Sequence, residues 1–155
     1  MRRYLLFLFL TLSLTPAGAQ PKYEVRAAWV TAVYGLDWPQ TKATTPAGIR
    51  RQQEELIEIL DKLKAANFNT VLFQTRTRGD VLYKSSIEPY NSILTGKVDG
   101  DPGYDPLAFA VRECHKRGME CHAWMVALPL GNKKHVAKLG NKSVTCLLYT
   151  SDAAD

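Results

Sequence analysis

Cysteine is scarce in this chain. There are three in 155 residues, Cys114, Cys121 and Cys146, and their spacing does not gather zinc ligands. An odd number also excludes a fully paired disulfide framework. Cys114 and Cys121 flank an expected helix-to-strand turn. A disulfide between them is one reading, and two small buried hydrophobes is the favoured one. Excess charge is modest, +5 over the whole sequence, and no basic stripe is interleaved with aromatics, so nucleic acid is not an expected partner. A Gly-x-Gly-x-x-Gly fingerprint after the first expected strand is missing, and so is a P-loop. No cofactor or metal is expected. No apolar run approaches the roughly 20 residues that span a bilayer.

The apolar run that is present, Leu5 to Leu10, follows Arg2 and Arg3 and precedes the small-residue cleavage pattern Ala17-Gly-Ala19. Residues 1–19 therefore read as a secretory signal peptide, and the mature protein as secreted or periplasmic, with no stable membrane insertion. No cysteine follows the cut, so lipid anchoring is not indicated. Losing Arg2 and Arg3 lowers the formal charge to +3. Lys133-Lys134-His135 reads as a solvated loop or helix start rather than a phosphate site.

Along the mature chain the periodicity alternates. Tyr23 to Thr31 reads as a strand. Thr44 or Thr45 before Pro46 reads as a helix start, and Leu56, Ile59, Leu60 and Leu63 give the apolar stripe of a helix over Ala47–Asn67. Thr70–Thr75 is a second strand, with Val71, Leu72 and Phe73 forming the short apolar run that a parallel sheet buries. A polar loop broken by glycines and prolines runs from Arg76 to Tyr104, and its tyrosines (Tyr83, Tyr90, Tyr104) favour an ordered loop. Asp105-Pro106 caps a helix over Leu107–Arg117, Gly118 stops it, and Met119–Val126 is a third strand. This β-α-β-loop-α-β order implies a parallel sheet with right-handed crossovers. A (β/α)₈ barrel and a doubly wound open sheet both fit, and the missing Rossmann fingerprint favours the barrel.

Strand parity places a site. Leu72, Gln74 and Arg76 share one face of the second strand, and Val71, Phe73 and Thr75 the other. The polar end marks the first face as the barrel interior, with Gln74 and Arg76 at its mouth. His122 and Trp124 share a face of the third strand, as Trp29 and Thr31 do on the first. Three strands thus raise polar or aromatic groups at one rim. Singly, each has a plainer reading: Arg76 or Arg78 as a structural ion pair, Asp80 as a turn residue after Gly79, Tyr83 and Trp124 as core aromatics, His122 as a hydrogen-bonded core histidine. No carboxylate pair stands out as general acid and base. Glu24 and Glu120 begin their strands, at the wrong end of a barrel. Aromatics with planar polar side chains suit sugars, although an arginine could equally hold a carboxylate or phosphate.

Several segments together resemble the glycosyl hydrolase-like 10 family. They are Arg26-Ala-Ala-Trp-Val-Thr, Leu36-Asp-Trp-Pro39, Asn69-Thr-Val-Leu-Phe-Gln-Thr-Arg with Gly79-Asp-Val-Leu-Tyr-x-Ser, Tyr104-Asp-Pro-Leu, His115-Lys-Arg-Gly and His122-Ala-Trp. The resemblance runs from about Tyr23 to Val144, with Thr75 and Val81 as small departures. It implies an exported bacterial (β/α)₈ barrel that hydrolyses O-glycosidic bonds of a polysaccharide, some relatives cleaving peptidoglycan glycan strands that have lost their stem peptides. It also places Arg76, Asp80, Tyr83, His122 and Trp124 at the family's motif positions at the barrel mouth, and these, with Gln74 from strand parity and Trp38, are the expected substrate-binding set. The family's catalytic acids are expected on later strands, and Asp80 is the only local acid worth testing in that role. A non-catalytic glycan-binding barrel, and an open-sheet protein holding an anionic metabolite through Arg76 and Arg78, are the alternatives.

A barrel needs about 250 residues, so residues 20–145 are expected to be the N-terminal part of one, comprising its first three β/α units and inactive when isolated. Residues 146–155, from Cys146 to Asp155, fit nothing expected of the family and read as a non-native tail of sequencing origin.

Overall fold

A computed structural model describes residues 23–147. The expected leader lies outside the described residues, as does all of the expected tail beyond Leu147. The elements, in chain order, are β1 (Ala27–Val30), α1 (Pro46–Ala65), β2 (Thr70–Arg76), α2 (Pro106–Lys116), β3 (Glu120–Met125) and α3 (Lys133–Leu139), with short 3₁₀ turns at Val33–Gly35 and Gly140–Lys142. The fold is α/β, and its sheet is parallel with strand order β1-β2-β3. Trp29 pairs with Leu72 and Leu72 with His122, while Gln74 lies opposite Trp124.

Both long helices start and stop by local chemistry. Thr45 Oγ1 accepts from Gly48 N at 3.0 Å and Asp105 Oδ1 from Ala108 N at 3.0 Å, each followed by proline in the first turn. At the other ends Phe68 N donates to Leu63 O and Met119 N to Cys114 O, both at 3.0 Å, around Asn67 and Gly118 at φ 64° and 62°. This is a Schellman closure in each case, and it turns the chain directly into the next strand. The expected stops at Asn67 and Gly118 are where the structure has them.

β1 is shorter than its sequence pattern. Asn69 substitutes side-chain bonds for a ladder: its Oδ1 accepts from Arg26 N at 2.8 Å and its Nδ2 donates to Glu24 O at 2.7 Å. At the far end Asp37 Oδ2 takes Thr31 N at 2.8 Å, drawing the chain off the sheet.

Parity divides the sheet as expected. Val30, Val71 and Phe73 point into a core completed by Leu56 and Leu60 of α1, Phe109, Ala110 and Cys114 of α2, and Trp38, Leu82 and Leu94 of the loops. The opposite face carries Trp29 and Trp124, whose rings meet edge to face at 4.6 Å between centroids. Cys114 and Cys121 form no disulfide, Cys114 being buried in the core and Cys121 half-buried against it.

The long loop between β2 and α2 is ordered by buried polar bonds. Gln52 of α1 is fully enclosed; its Nε2 donates to Thr41 O at 2.7 Å and Leu94 O at 3.0 Å, and its Oε1 accepts from Tyr104 Oη at 2.7 Å. Burial pushes the Tyr104 phenol well above its ordinary pKa, so it stays a donor.

Candidate functional site

The chain leaves β2 through a tight reversal. Thr77 N donates to Asp80 O at 3.1 Å and Leu82 N to Thr75 O at 2.8 Å, with Gly79 at φ 76°. That backbone conformation favours glycine. The turn sets the Asp80 carboxylate beneath the strand ends, almost completely buried. Its Oδ1 accepts from the Thr77 hydroxyl, from Asn91 Nδ2 at 3.0 Å and from Arg78 N at 3.3 Å. Its Oδ2 lies 3.5 Å from His135 Nε2, which is also 3.1 Å from Arg78 O. A buried carboxylate is tolerated when so many donors surround it.

Above Asp80 opens a cavity of about 370 Å³. Residues following β1 (Ala32, Val33, Tyr34), the turn after β2, loop residues Asn91, Ser92 and Ile93, and His135 and Lys138 of α3 contribute its walls. It therefore sits at the carboxyl ends of parallel strands, where α/β proteins bind ligands. Arg78 Nη2 donates to Tyr34 Oη at 2.7 Å, and its guanidinium carbon lies 4.9 Å from the centre of the Tyr34 ring. Lys42 enters from the other side, its Nζ donating to Ile93 O at 2.7 Å. Desolvation lowers the Lys42 pKa from its ordinary value. Its backbone is fixed by a close approach, since a Cβ on Gly48 would lie 2.5 Å from Lys42 O. Among the described residues lining the cavity, Asp80 is the one carboxylate. No group of three His, Cys, Asp or Glu side chains among the described residues could hold a metal ion.

Of the seven side chains expected to bind substrate, Asp80 is the one that lines this cavity. Gln74 is buried below it, its Oε1 accepting from Thr31 Oγ1 at 2.7 Å, Ala32 N at 2.8 Å and Val33 N at 3.1 Å. It positions the loop after β1 rather than facing a ligand. Arg76 is occupied by Glu88 and by carbonyls beyond β3. This is the ion-pair reading that the residue alone favours. Trp38 is fully enclosed, its Nε1 donating to Gln52 O at 2.8 Å. It belongs to the core because the loop folds back over α1. Tyr83 lines a separate depression along α2 with Asp105, Leu107 and Val111. His122 is exposed and 2.9 Å from Glu120 Oε2, not a core histidine. Trp124 packs on Trp29, on the open sheet face.

Sequence reasoning missed Thr77, Asn91, Lys42, Tyr34, His135 and Lys138. Lys133–His135 does begin a helix, capped by Asn132 Oδ1 on His135 N at 2.9 Å. Lys133 and Lys134 are exposed, but the His135 imidazole turns inward. The inward contact was not legible in the sequence.

A parallel β-α-β-α-β sheet with a polar cavity at its carboxyl ends defines an α/β protein. The chain belongs to the glycosyl hydrolase-like 10 family, whose model matches residues 24–146. It is similar to glycosyl hydrolase YngK of Bacillus subtilis strain 168, with 41% identity over 108 residues, covering 70% of this chain and 21% of that protein. It is also similar to glycosyl hydrolase DigH of Escherichia coli strain K12, with 39% identity over 120 residues, covering 70% of this chain and 27% of that protein. The chain thus spans 21% and 27% of the length of these two relatives.

Proposed function

We propose that this chain forms the first three β/α units of an exported (β/α)₈ glycoside hydrolase acting on O-glycosidic bonds of a polysaccharide, with peptidoglycan glycan strands as the leading substrate. The observation that carries the reading is the cavity over Asp80, which combines hydroxyl, amide and cationic groups with the Tyr34 ring at the ends of parallel strands. Sugars need this mixture: hydrogen-bonding partners for hydroxyls and an aromatic surface for the C–H faces of the ring. Membership of a glycosyl hydrolase-like family supports the same chemistry.

Glycoside hydrolysis uses two carboxyl groups, one protonating the leaving oxygen and one activating water or attacking the sugar. On this reading strands following β3 supply the pair, and Asp80 shapes the substrate wall. Asp80 already accepts three hydrogen bonds on one oxygen, which suits holding a turn better than exchanging a proton with substrate.

The test is digestion of purified glycan strands, with and without stem peptides, by the full-length protein, with products resolved by mass spectrometry. Shortened strands with new reducing ends are expected. Tight binding without cleavage would replace the reading with a non-catalytic glycan-binding barrel. Export is tested by N-terminal sequencing of the mature protein, which should begin at Gln20.

A further inference from the structure

Some cations of the fold are ion-paired and others, on the surface and in the cavity, are not. Arg26, Arg51, Arg76, Arg117 and Lys142 each meet a carboxylate. Lys42, Arg78 and Lys138 have no ion pair among the described residues, and all three line the cavity over Asp80. What they do contact is neutral: Ile93 O for Lys42, Tyr34 Oη for Arg78, and Ser92 Oγ at 3.3 Å for Lys138. Each contact uses one donor of a group that has three or five, so every cation keeps N–H groups for another partner. The Asp80 carboxylate does not neutralise them, because its Oδ1 is taken by Thr77, Arg78 N and Asn91 and its Oδ2 lies beside His135. The cavity therefore has a net positive wall with its one acid committed to the floor.

We propose that this cavity is a subsite for a sugar residue bearing a carboxylate, with Arg78 as the fork that meets the carboxylate and Lys42 and Lys138 as flanking charges. The inference rests on the glycan-binding reading above and names the group that distinguishes one glycan from another. A guanidinium presents parallel donors that match the two carboxylate oxygens, and charge-assisted bonds of this kind are the strong ones. Tyr34 orients Arg78 and offers its ring beside the fork, so the acid and the ring it is attached to can be held together. Lys42 is partly desolvated, and an anionic neighbour would offset part of that cost. The carboxylate could come from a uronic acid or from a lactyl ether on an amino sugar; both present the same planar anion.

Calorimetric titration of the full-length protein decides the matter with four probes: peptide-free muramyl glycan oligosaccharide, the same oligosaccharide with its carboxyls reduced, an oligouronate, and a neutral chitooligosaccharide. The carboxylated muramyl strand is expected to bind at least about tenfold tighter than its reduced form, the order expected for one charge-assisted contact. An oligouronate that binds as well assigns the site to sugar carboxylates in general; one that does not assigns it to the lactyl ether. Arg78→Gln and Lys138→Gln should each shrink the preference while an unchanged melting temperature shows an intact fold. Lys138 is exposed, so its variant carries little risk to folding. Equal binding of the acidic and reduced strands overturns the inference and leaves the glycan reading standing. Binding of phosphate esters with no binding of any oligosaccharide overturns both.

Discussion

The guanidinium of Arg76 forks onto the carboxylate of Glu88, with Nε at 2.9 and 2.8 Å from its two oxygens and Nη2 at 2.6 Å from Oε1. Its Nη1 donates to the carbonyls of Val126 and Ala127, the latter at 3.1 Å. The two side chains are only 9% and 11% exposed. One arginine at the end of β2 thus ties the long loop and the segment after β3 to a single point, and the Glu88 hydrogen bonds raise its pKa further.

Removing Glu88 strands that charge. Glu88→Ala should destabilise the fold by about 3–5 kcal/mol, the range for breaking a buried pair. Urea unfolding measures it, with a cost under about 1 kcal/mol contradicting a buried role. The double variant Arg76→Met/Glu88→Leu should recover much of the loss, because no uncompensated charge remains.

Gln74 gives a second prediction. Three donors converge on its Oε1, two of them backbone N–H groups of Ala32 and Val33. Gln74→Leu leaves Ala32 N without an acceptor and Val33 N with Thr31 Oγ1 at 3.3 Å, and should cost about 1–3 kcal/mol. Because Ala32 and Val33 line the cavity, glycan affinity should fall with stability. Gln74→Glu keeps the acceptor and should retain most of both. Leu and Glu variants of equal stability would contradict the assignment.

Acid should loosen the contact between α1 and α2. Glu113 sits 2.7 Å from Lys116 Nζ and 3.1 Å from Arg117 Nη1, and Arg117 Nε reaches Asp61 of α1 at 2.6 Å. The Lys116 hydrogen bond, followed by that of Arg117, holds the Glu113 carboxyl below its ordinary value of 4.5. A carboxyl lowered by folding contributes stability that is present above its unfolded pKa and lost as pH falls through the folded one. Stability should therefore decline from about pH 4.5 downward, and Glu113→Gln should flatten that decline. Denaturant unfolding at several pH values reads it, and parallel curves for the two proteins would refute it.

The two neighbouring thiols should differ in reactivity. Their mutual hydrogen bond pushes Cys114 up and draws Cys121 down from the ordinary thiol value of 9.0. Cys114 is buried and Cys121 half-buried. Thiolate is the nucleophile, so both effects favour Cys121. Iodoacetamide labelling followed by mass spectrometry should modify Cys121 well before Cys114; equal rates would show that the pair does not exist in solution.

The fold was legible where the governing interactions are local. Thr45 with Pro46 and Asp105 with Pro106 mark helix starts, and Asn67 and Gly118 mark their stops, through bonds that reach three to five residues. The alternation of Val71 and Phe73 against Leu72 and Gln74 assigned the faces of β2, because side chains on a strand point alternately to its two sides. Trp38 escaped this logic. Nothing near it in sequence announces that its loop lies over α1, where Gln52 O receives its indole N–H.

Asp80 draws the line between the two kinds of information. Its place in a turn after Gly79 follows from residues beside it, since the Thr77 hydroxyl and Arg78 N reach its carboxylate within the turn. What it holds up does not follow. Asn91 comes from eleven residues further on, and His135 reaches Arg78 O across a separation of fifty-seven. Caps, turns and strand parity act within a few residues and are written in the sequence. The cavity exists only once the long loop and α3 pack across the strand ends, because the polar groups that meet there are brought together by burial of the core beneath them.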